Sequence, residues 1–412
     1  MAAKKILSSL LARVILAIIL GVVCSFIFPE PLARVFATFN GLFGNFLSFF
    51  VPVLIFALIT PAIAGLGRGA GKWLGMTTAL SYGSTIVAGA IAYATARGLY
   101  PTLLGSTNTV EQVEDVSAGA LTPYFEVEMT PPFEIISALL LAFTLGVAMT
   151  AVKSDVLYEA ARELEGVIMK VIEKLIVPLL PLFIFGMFLD LGMNGNLKTT
   201  MLSFGKVLVL AVVLTLLYLV IQYVITGAIV GRNPFVALKN MLPAYFTALG
   251  TSSSAATIPI SMRATINNGV RENVAGFTVP LCATIHLSGS MIKIILFAFA
   301  IVYMSGLNVS LGLAIGFILM LGITMIAAPG VPGGAIMAAA ALLQSMLGFD
   351  EGMVALMIAA YIAIDSFGTA ANVAGDGAIA LLVDKFSGKD EGAQAPADAA
   401  EAKGGSSRAT TV

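Results

Sequence analysis

Residues 241–262 read MLPAYFTALGTSSSAATIPISM, and residues 322–337 read GITMIAAPGVPGGAIM. Both lie within long apolar segments, 235–266 and 310–346, and both interrupt them. The first break is at Thr251-Ser252-Ser253-Ser254, the second at Pro329-Gly330-Val331-Pro332-Gly333-Gly334. A spanning helix needs about 20 apolar residues, and each half-segment is shorter than that. Backbone at membrane depth must satisfy its own hydrogen bonds, so a helix that stops there must be buried in protein or line a cavity. Both segments therefore read as re-entrant hairpins, with interfacial turns or Gly-kinked spans as the alternatives. Each is followed by a long helix carrying polar residues. The order hairpin–helix, hairpin–helix is what an inverted repeat around a midplane site produces.

The rest of the chain fits a membrane setting. Its 412 residues are 58% hydrophobic and 11% charged, against about 25% charged in soluble proteins. A soluble fold of this size could not cover its surface. Cytosolic-enzyme and secreted classes are excluded, and a net charge of −1 without a basic patch gives nucleic acid nothing to bind. Two cysteines, Cys24 and Cys282, sit in apolar runs as small core residues. The lone His286 excludes a multi-histidine zinc or haem site. The expected fold is an all-α polytopic membrane protein with helices near 6–28, 40–66, 73–97, 133–151, 164–192, 199–230, 271–304 and 350–386, plus the two hairpins. The first stretch, behind Lys4 and Lys5, reads as a span rather than a removed signal peptide.

Loop charge sets the expected orientation. Lys4, Lys5, Arg68, Lys72, Lys153, Arg162, Arg232, Lys239, Arg263, Arg271, Lys385 and Lys389 fall in one set of loops. Glu111, Glu114, Asp115, Glu126, Glu128, Asp350 and Glu351 fall in the other. The basic set and both termini are expected in the cytoplasm. The 98–132 loop is expected outside and mobile. Residues 387–412 are Ala/Gly/Ser-rich and read as a disordered tail.

Polar residues cluster late in the chain, where each buried charge costs at least ~2.5–3.5 kcal/mol. Asp365, Thr369, Asn372 and Asp376 are spaced four, three and four apart, which places them on one helical face. Their oxygens suit a hard cation or a substrate ammonium; a structural hydrogen-bond stripe is the alternative. His286, Ser290 and Lys293 are spaced alike on the preceding helix. His286 is the side chain best placed to exchange protons near neutral pH, or it is a packing residue. Lys293 is either a fixed positive charge in the site or a static partner of an acid such as Asp365. An aspartyl protease dyad fails, because Asp365 and Asp376 stand eleven residues apart on one helix, about 16 Å at 1.5 Å per residue. A channel is a second alternative, but paired gates favour alternating access.

Thr251 to Pro259 (TSSSAATIP), Phe277 to Ile285 (FTVPLCATI), Gly330 to Gly333 (GVPG) and Asn372 to Asp376 (NVAGD) resemble, in this order, motifs of the dicarboxylate/amino acid:cation symporter family. This glutamate-transporter-like family includes sodium-coupled aspartate and serine/threonine symporters. The resemblance implies an elevator-type homotrimer in the inner membrane that couples uptake of a small neutral or acidic amino acid to Na+ or, alternatively, H+. A C4-dicarboxylate is the alternative substrate. It implies scaffold helices in 1–66 and 133–195, a third helix of the transport domain in 67–97, the remaining transport domain in 196–386, and a second hairpin that gates the site.

The same resemblance implies site roles. Ser253 and Ser254 lie near the substrate α-carboxylate, Asp365 takes the α-ammonium, and Val331, Ser290 and Thr369 line the pocket. Asn372 and Asp376 ligate sodium, and Asn372 also meets substrate. Thr284 and Cys282, with backbone near Met325 and Ile326, mark a second sodium site. There are departures too. The signature Asn-Met-Asp-Gly-Thr reads His286-Leu287-Ser288-Gly289-Ser290, so one sodium site is expected lost, with His286 taking a proton there or filling space. The arginine that grips a side-chain carboxylate is Gly368, and a hairpin arginine is Ser252. Either the substrate is neutral or Lys293 supplies the missing charge.

Overall fold

The computed structural model describes residues 10–66, 71–105, 121–152, 155–195, 197–326, 328 and 333–387. Among them the chain is helical with no strand: α1 (Leu10–Ser25), α2 (Glu30–Leu66), α3 (Gly71–Leu103), α4 (Ile135–Ala151), α5 (Val156–Met193, with a π turn at Ile172–Ile176), α6 (Leu197–Val230), α7 (Pro234–Thr251), α8 (Ser254–Asn267), α9 (Glu272–Ile285), α10 (Ser288–Met304), α11 (Leu311–Ile326), α12 (Gly334–Leu347), α13 (Glu351–Ala363) and α14 (Asp365–Phe386). Among the described residues six stretches are long and apolar enough to cross a bilayer: 30–65, 73–103, 156–193, 200–230, 272–304 and 365–386.

The broken segments are helical pairs. α7 and α8 pack together around Ser252, and α11 packs on α12. A 14-residue arm such as α8 or α12 rises about 21 Å, short of the ~30 Å hydrocarbon core. Caps fix the entries. Asn233 accepts from Phe235 N and Val236 N ahead of Pro234, and Asp350 accepts from Met353 N.

Several expected boundaries move. The single helix expected over 271–304 is two, broken at His286-Leu287, and the one over 350–386 breaks at Ile364. No Gly or Pro marks either break; contacts from elsewhere in the chain hold them. α2 starts at Glu30 rather than near 40, α3 runs to Leu103 rather than 97, and α5 starts at Val156 rather than 164. The early part of α5 carries Glu159, Arg162 and Glu163 exposed and Glu165 half-buried, and that charge disguised a helix as a loop. The described end of the 98–132 loop is strapped down rather than loose. Arg34 Nε donates to Thr122 O, Asn45 Nδ2 to Val127 O, and Tyr124 N to Thr38 Oγ1. The 106–120 part of that loop, the tail from 388 and the hairpin tip including Val331 lie outside the described residues.

Packing sorts the helices into two groups. α1 packs on α5, and α2 on α4 and α5. α3 and α6 to α10 gather around α14 and α10, with α11 against α3. The groups meet where α12 touches α2 and α13 touches α1 and α5. The centre is α10, buried at every residue from Ser288 to Val302. That burial is what lets helices break at membrane depth. Charge is segregated along α13–α14. Glu351 opens α13 and, with Glu126, Asp190 and Asp350, lines a cavity of about 440 Å³. At the far end Arg271 pairs with Asp384 at 2.7 Å, and Lys385 donates to Ile229 O.

Candidate functional site

Two helices break side by side, and each supplies the side chain that completes the other. α10 begins with free backbone N–H groups after Leu287. Asn372 of α14 caps it, its Oδ1 accepting from Gly289 N at 2.8 Å and Ser290 N at 3.4 Å. Asn372 Nδ2 donates to Ser290 Oγ at 3.1 Å, and Tyr361 OH donates to the same oxygen at 2.9 Å. In return, Lys293 of α10 reaches the break at Ile364. Its Nζ donates to Ile364 O and Asp365 O, both at 3.4 Å, and to Asp365 Oδ1 at 3.2 Å.

Lys293 is 1% exposed. Its three donors all land on oxygen, and Nζ lies 3.8 Å from the centroid of the Tyr361 ring. This is a complete ammonium site. Lys293 forms the pair with Asp365. Gly368 makes room for it: a Cβ at 368 would lie 2.2 Å from Lys293 Cε. The other carboxylate oxygen, Asp365 Oδ2, accepts from Gly333 N of the second hairpin at 2.9 Å. One carboxylate thus joins α10, α14 and the hairpin.

Three turns further along α14, Asp376 Oδ1 meets His286 Nδ1 at 2.9 Å, both buried. His286 Nε2 lies 3.0 Å from Ser84 Oγ and 3.3 Å from Gln222 Nε2. Gln222 Oε1 has no partner. Rotating that amide gives the ring an acceptor on each side, the pattern an imidazolium wants. Gly375 brings α14 close: a Cβ there would lie 2.8 Å from both Gln222 Oε1 and His286 Cε1.

At the first hairpin tip Ser252 turns through φ +51°, and Ser253 accepts from Ala256 N at 3.3 Å as the cap of α8. Ser254 is buried, and α8 packs against α14. Thr369 is buried on α14. Thr284 Oγ1 donates within its own helix to Leu281 O, while Cys282 Sγ faces Ser81 Oγ at 3.4 Å. Met325 and Ile326 end α11, which packs on the helix of Thr284.

The structure therefore joins His286 to Asp376, Lys293 to Asp365, and Ser290 to Asn372. It surrounds them with Gly333 of the hairpin motif and with Tyr361, Ser84 and Gln222, three residues that the sequence reading did not select. Gln222 was findable as an amide in the apolar run of α6. Tyr361 stands four residues before Asp365 and shares its side of the chain. Among the described residues no three His, Cys, Asp or Glu side chains gather into a metal site. A cation held here would rest on amide, carbonyl and single carboxylate oxygens, as suits a weakly bound alkali ion.

Helices broken around buried, charge-matched centres, with hairpin arms too short to span, define a secondary transporter. The sodium:dicarboxylate symporter family model matches residues 10–386. The chain belongs to that family, and it is a multi-pass membrane symporter, not an enzyme. It is 27% identical over 345 residues to a serine/threonine transporter SstT of Acinetobacter baumannii, covering 80% of this chain and 84% of that one. The Acinetobacter baylyi counterpart is 25% identical over 396 residues, covering 92% and 98%. Human excitatory amino acid transporter 1 is 31% identical over 202 residues, covering 48% and 36%.

Proposed function

We propose that the protein is a sodium-coupled symporter for small neutral amino acids of the serine/threonine type. The observation that carries the substrate class is the Lys293–Asp365 pair. A zwitterion fits between a fixed ammonium and a fixed carboxylate with no net charge left over. A dicarboxylate would bring two negative charges against one lysine, and an acidic amino acid would add one unpaired negative charge, costly in a buried site. The serine/threonine transporters that align over most of the chain support the same class.

In this reading Asp365 receives the substrate ammonium. Ser253 and Ser254, at the start of α8, face its carboxylate, with Ser290, Thr369 and Val331 around it. Asn372 and Asp376 hold one sodium ion. Thr284 and Cys282, with the backbone at Met325 and Ile326, hold another. The group around α10 and α14 moves against the group of α1, α2, α4 and α5 as an elevator in a homotrimer, and the second hairpin is the gate. Both termini face the cytoplasm. Sodium and substrate each raise the other's affinity.

Uptake into proteoliposomes tests this with a panel of amino acids and C4-dicarboxylates, under an inward sodium gradient and separately an inward proton gradient. Sodium-driven uptake of serine or threonine is expected. Uptake of succinate or malate alone would overturn the substrate class. Proton-driven uptake indifferent to sodium would overturn the coupling ion and make His286 the coupling residue.

A further inference from the structure

The seat assigned to the substrate ammonium is filled by the protein itself. Asp365 has two carboxylate oxygens. One holds Lys293 Nζ at 3.2 Å and the other holds Gly333 N of the second hairpin at 2.9 Å. With both in place, Asp365 ties the hairpin to α14 and α10.

We infer that Lys293 is an internal stand-in for the substrate's ammonium, which lets the empty carrier close its second hairpin and return across the membrane. The inference rests on the amino-acid reading above. A symporter working by alternating access must reorient twice per cycle, once loaded and once empty. A bare buried carboxylate at 365 would oppose the empty passage, because an unpaired charge in a closed, water-poor site is costly. Lys293 supplies the cation and Gly333 N the second hydrogen bond, so the empty site is as satisfied as a loaded one.

Binding then amounts to insertion. The substrate ammonium takes Asp365 Oδ1 from Nζ. The lysine keeps its bonds to Ile364 O and Asp365 O and its place on the Tyr361 ring, and it turns toward the substrate carboxylate. Gly368 belongs to the same device, because a side chain there would occupy the volume of the lysine stem.

Two modes of transport separate this role from others. Net uptake requires the empty carrier to return. Exchange between substrate outside and substrate preloaded inside does not. Two variants are measured in sodium-containing proteoliposomes with serine in both modes. Lys293→Met removes the ammonium and keeps the stem. Gly368→Ala displaces the lysine and keeps every charge. In both, the ratio of net uptake to exchange is expected to fall about tenfold. An unchanged ratio in both variants overturns the inference and leaves Lys293 a structural partner of Asp365. A raised KM at an unchanged ratio also overturns it and makes Lys293 an ordinary substrate ligand. A wild type that exchanges dicarboxylates but no amino acid overturns both the inference and the substrate reading. Serine exchange by the wild type with an unchanged ratio in the variants overturns the inference alone.

Discussion

Asp365 and Asp376 are the same residue type on the same buried helix, about 16 Å apart along its axis, and the protein treats them differently. Asp365 lies at a helix break, pairs with Lys293 and is tied to a hairpin. Asp376 lies in continuous helix, faces a histidine whose charge depends on its proton, and is walled in by α3 and α6 through Ser84 and Gln222. A polar stripe along one helix therefore presents two settings: a carboxylate at a helix break, shared with a lysine and a hairpin amide, and a carboxylate in continuous helix against a histidine.

The comparison is broken most severely at its first member. Asp365→Asn leaves Lys293 as an unpaired buried ammonium, and loss of one partner of a buried pair costs about 3–5 kcal/mol. A clear drop in thermal stability in detergent and abolished serine uptake are expected; near-wild-type melting would show that the lysine finds water instead. Asp376→Asn removes one charged hydrogen bond, worth about 1.5–3 kcal/mol, and is expected to weaken sodium dependence and uptake together. Uptake that keeps its full sodium dependence would remove Asp376 from the cation site.

Gly375→Ala sharpens the second end without touching a charge. The new methyl group would press on Gln222 and His286, an overpacking cost of about 1–3 kcal/mol. A shifted sodium affinity with an unchanged serine KM at saturating sodium is expected, and a shift in serine KM alone would show that the two ends are not separable. Tyr361→Phe has the smallest expected effect. It keeps the ring against Lys293 and removes one hydrogen bond to Ser290, about 0.5–1.5 kcal/mol. A loss as large as that of Asp365→Asn would mean that the hydroxyl, not the ring, matters at this end.

What could be read from the sequence follows from what is local. The hairpins announced themselves because the Thr/Ser run at 251–254 and the Gly/Pro run at 329–334 interrupt long apolar segments. The face shared by Asp365, Thr369, Asn372 and Asp376 is a matter of spacing. The breaks at 286–287 and 364 were hidden. Their residues, such as Leu287 and Ile364, carry no breaking signal, and their free backbone groups are satisfied by Asn372 and Lys293 from far along the chain. The pairing of Lys293 with Asp365 stood as one of two alternatives, since a spacing of 72 residues says nothing about which helices cross. Tyr361 and Ser84 were passed over because single hydroxyls in apolar runs are common and only their neighbours give them meaning.

The mutual capping of α10 and α14 also bears on how the chain enters the membrane. Lys293 is made 72 residues before the carboxylate that neutralises it, and the start of α10 is made before the asparagine that caps it. During synthesis α10 therefore reaches the bilayer with an orphan charge worth about 2.5–3.5 kcal/mol against insertion and a ragged end. Its stable seat exists only once α14 has followed. The latest segment of the chain thus completes an earlier one: a protein that ends before residue 365 keeps Ile364 O and the Tyr361 ring beside the lysine but lacks the carboxylate that neutralises it.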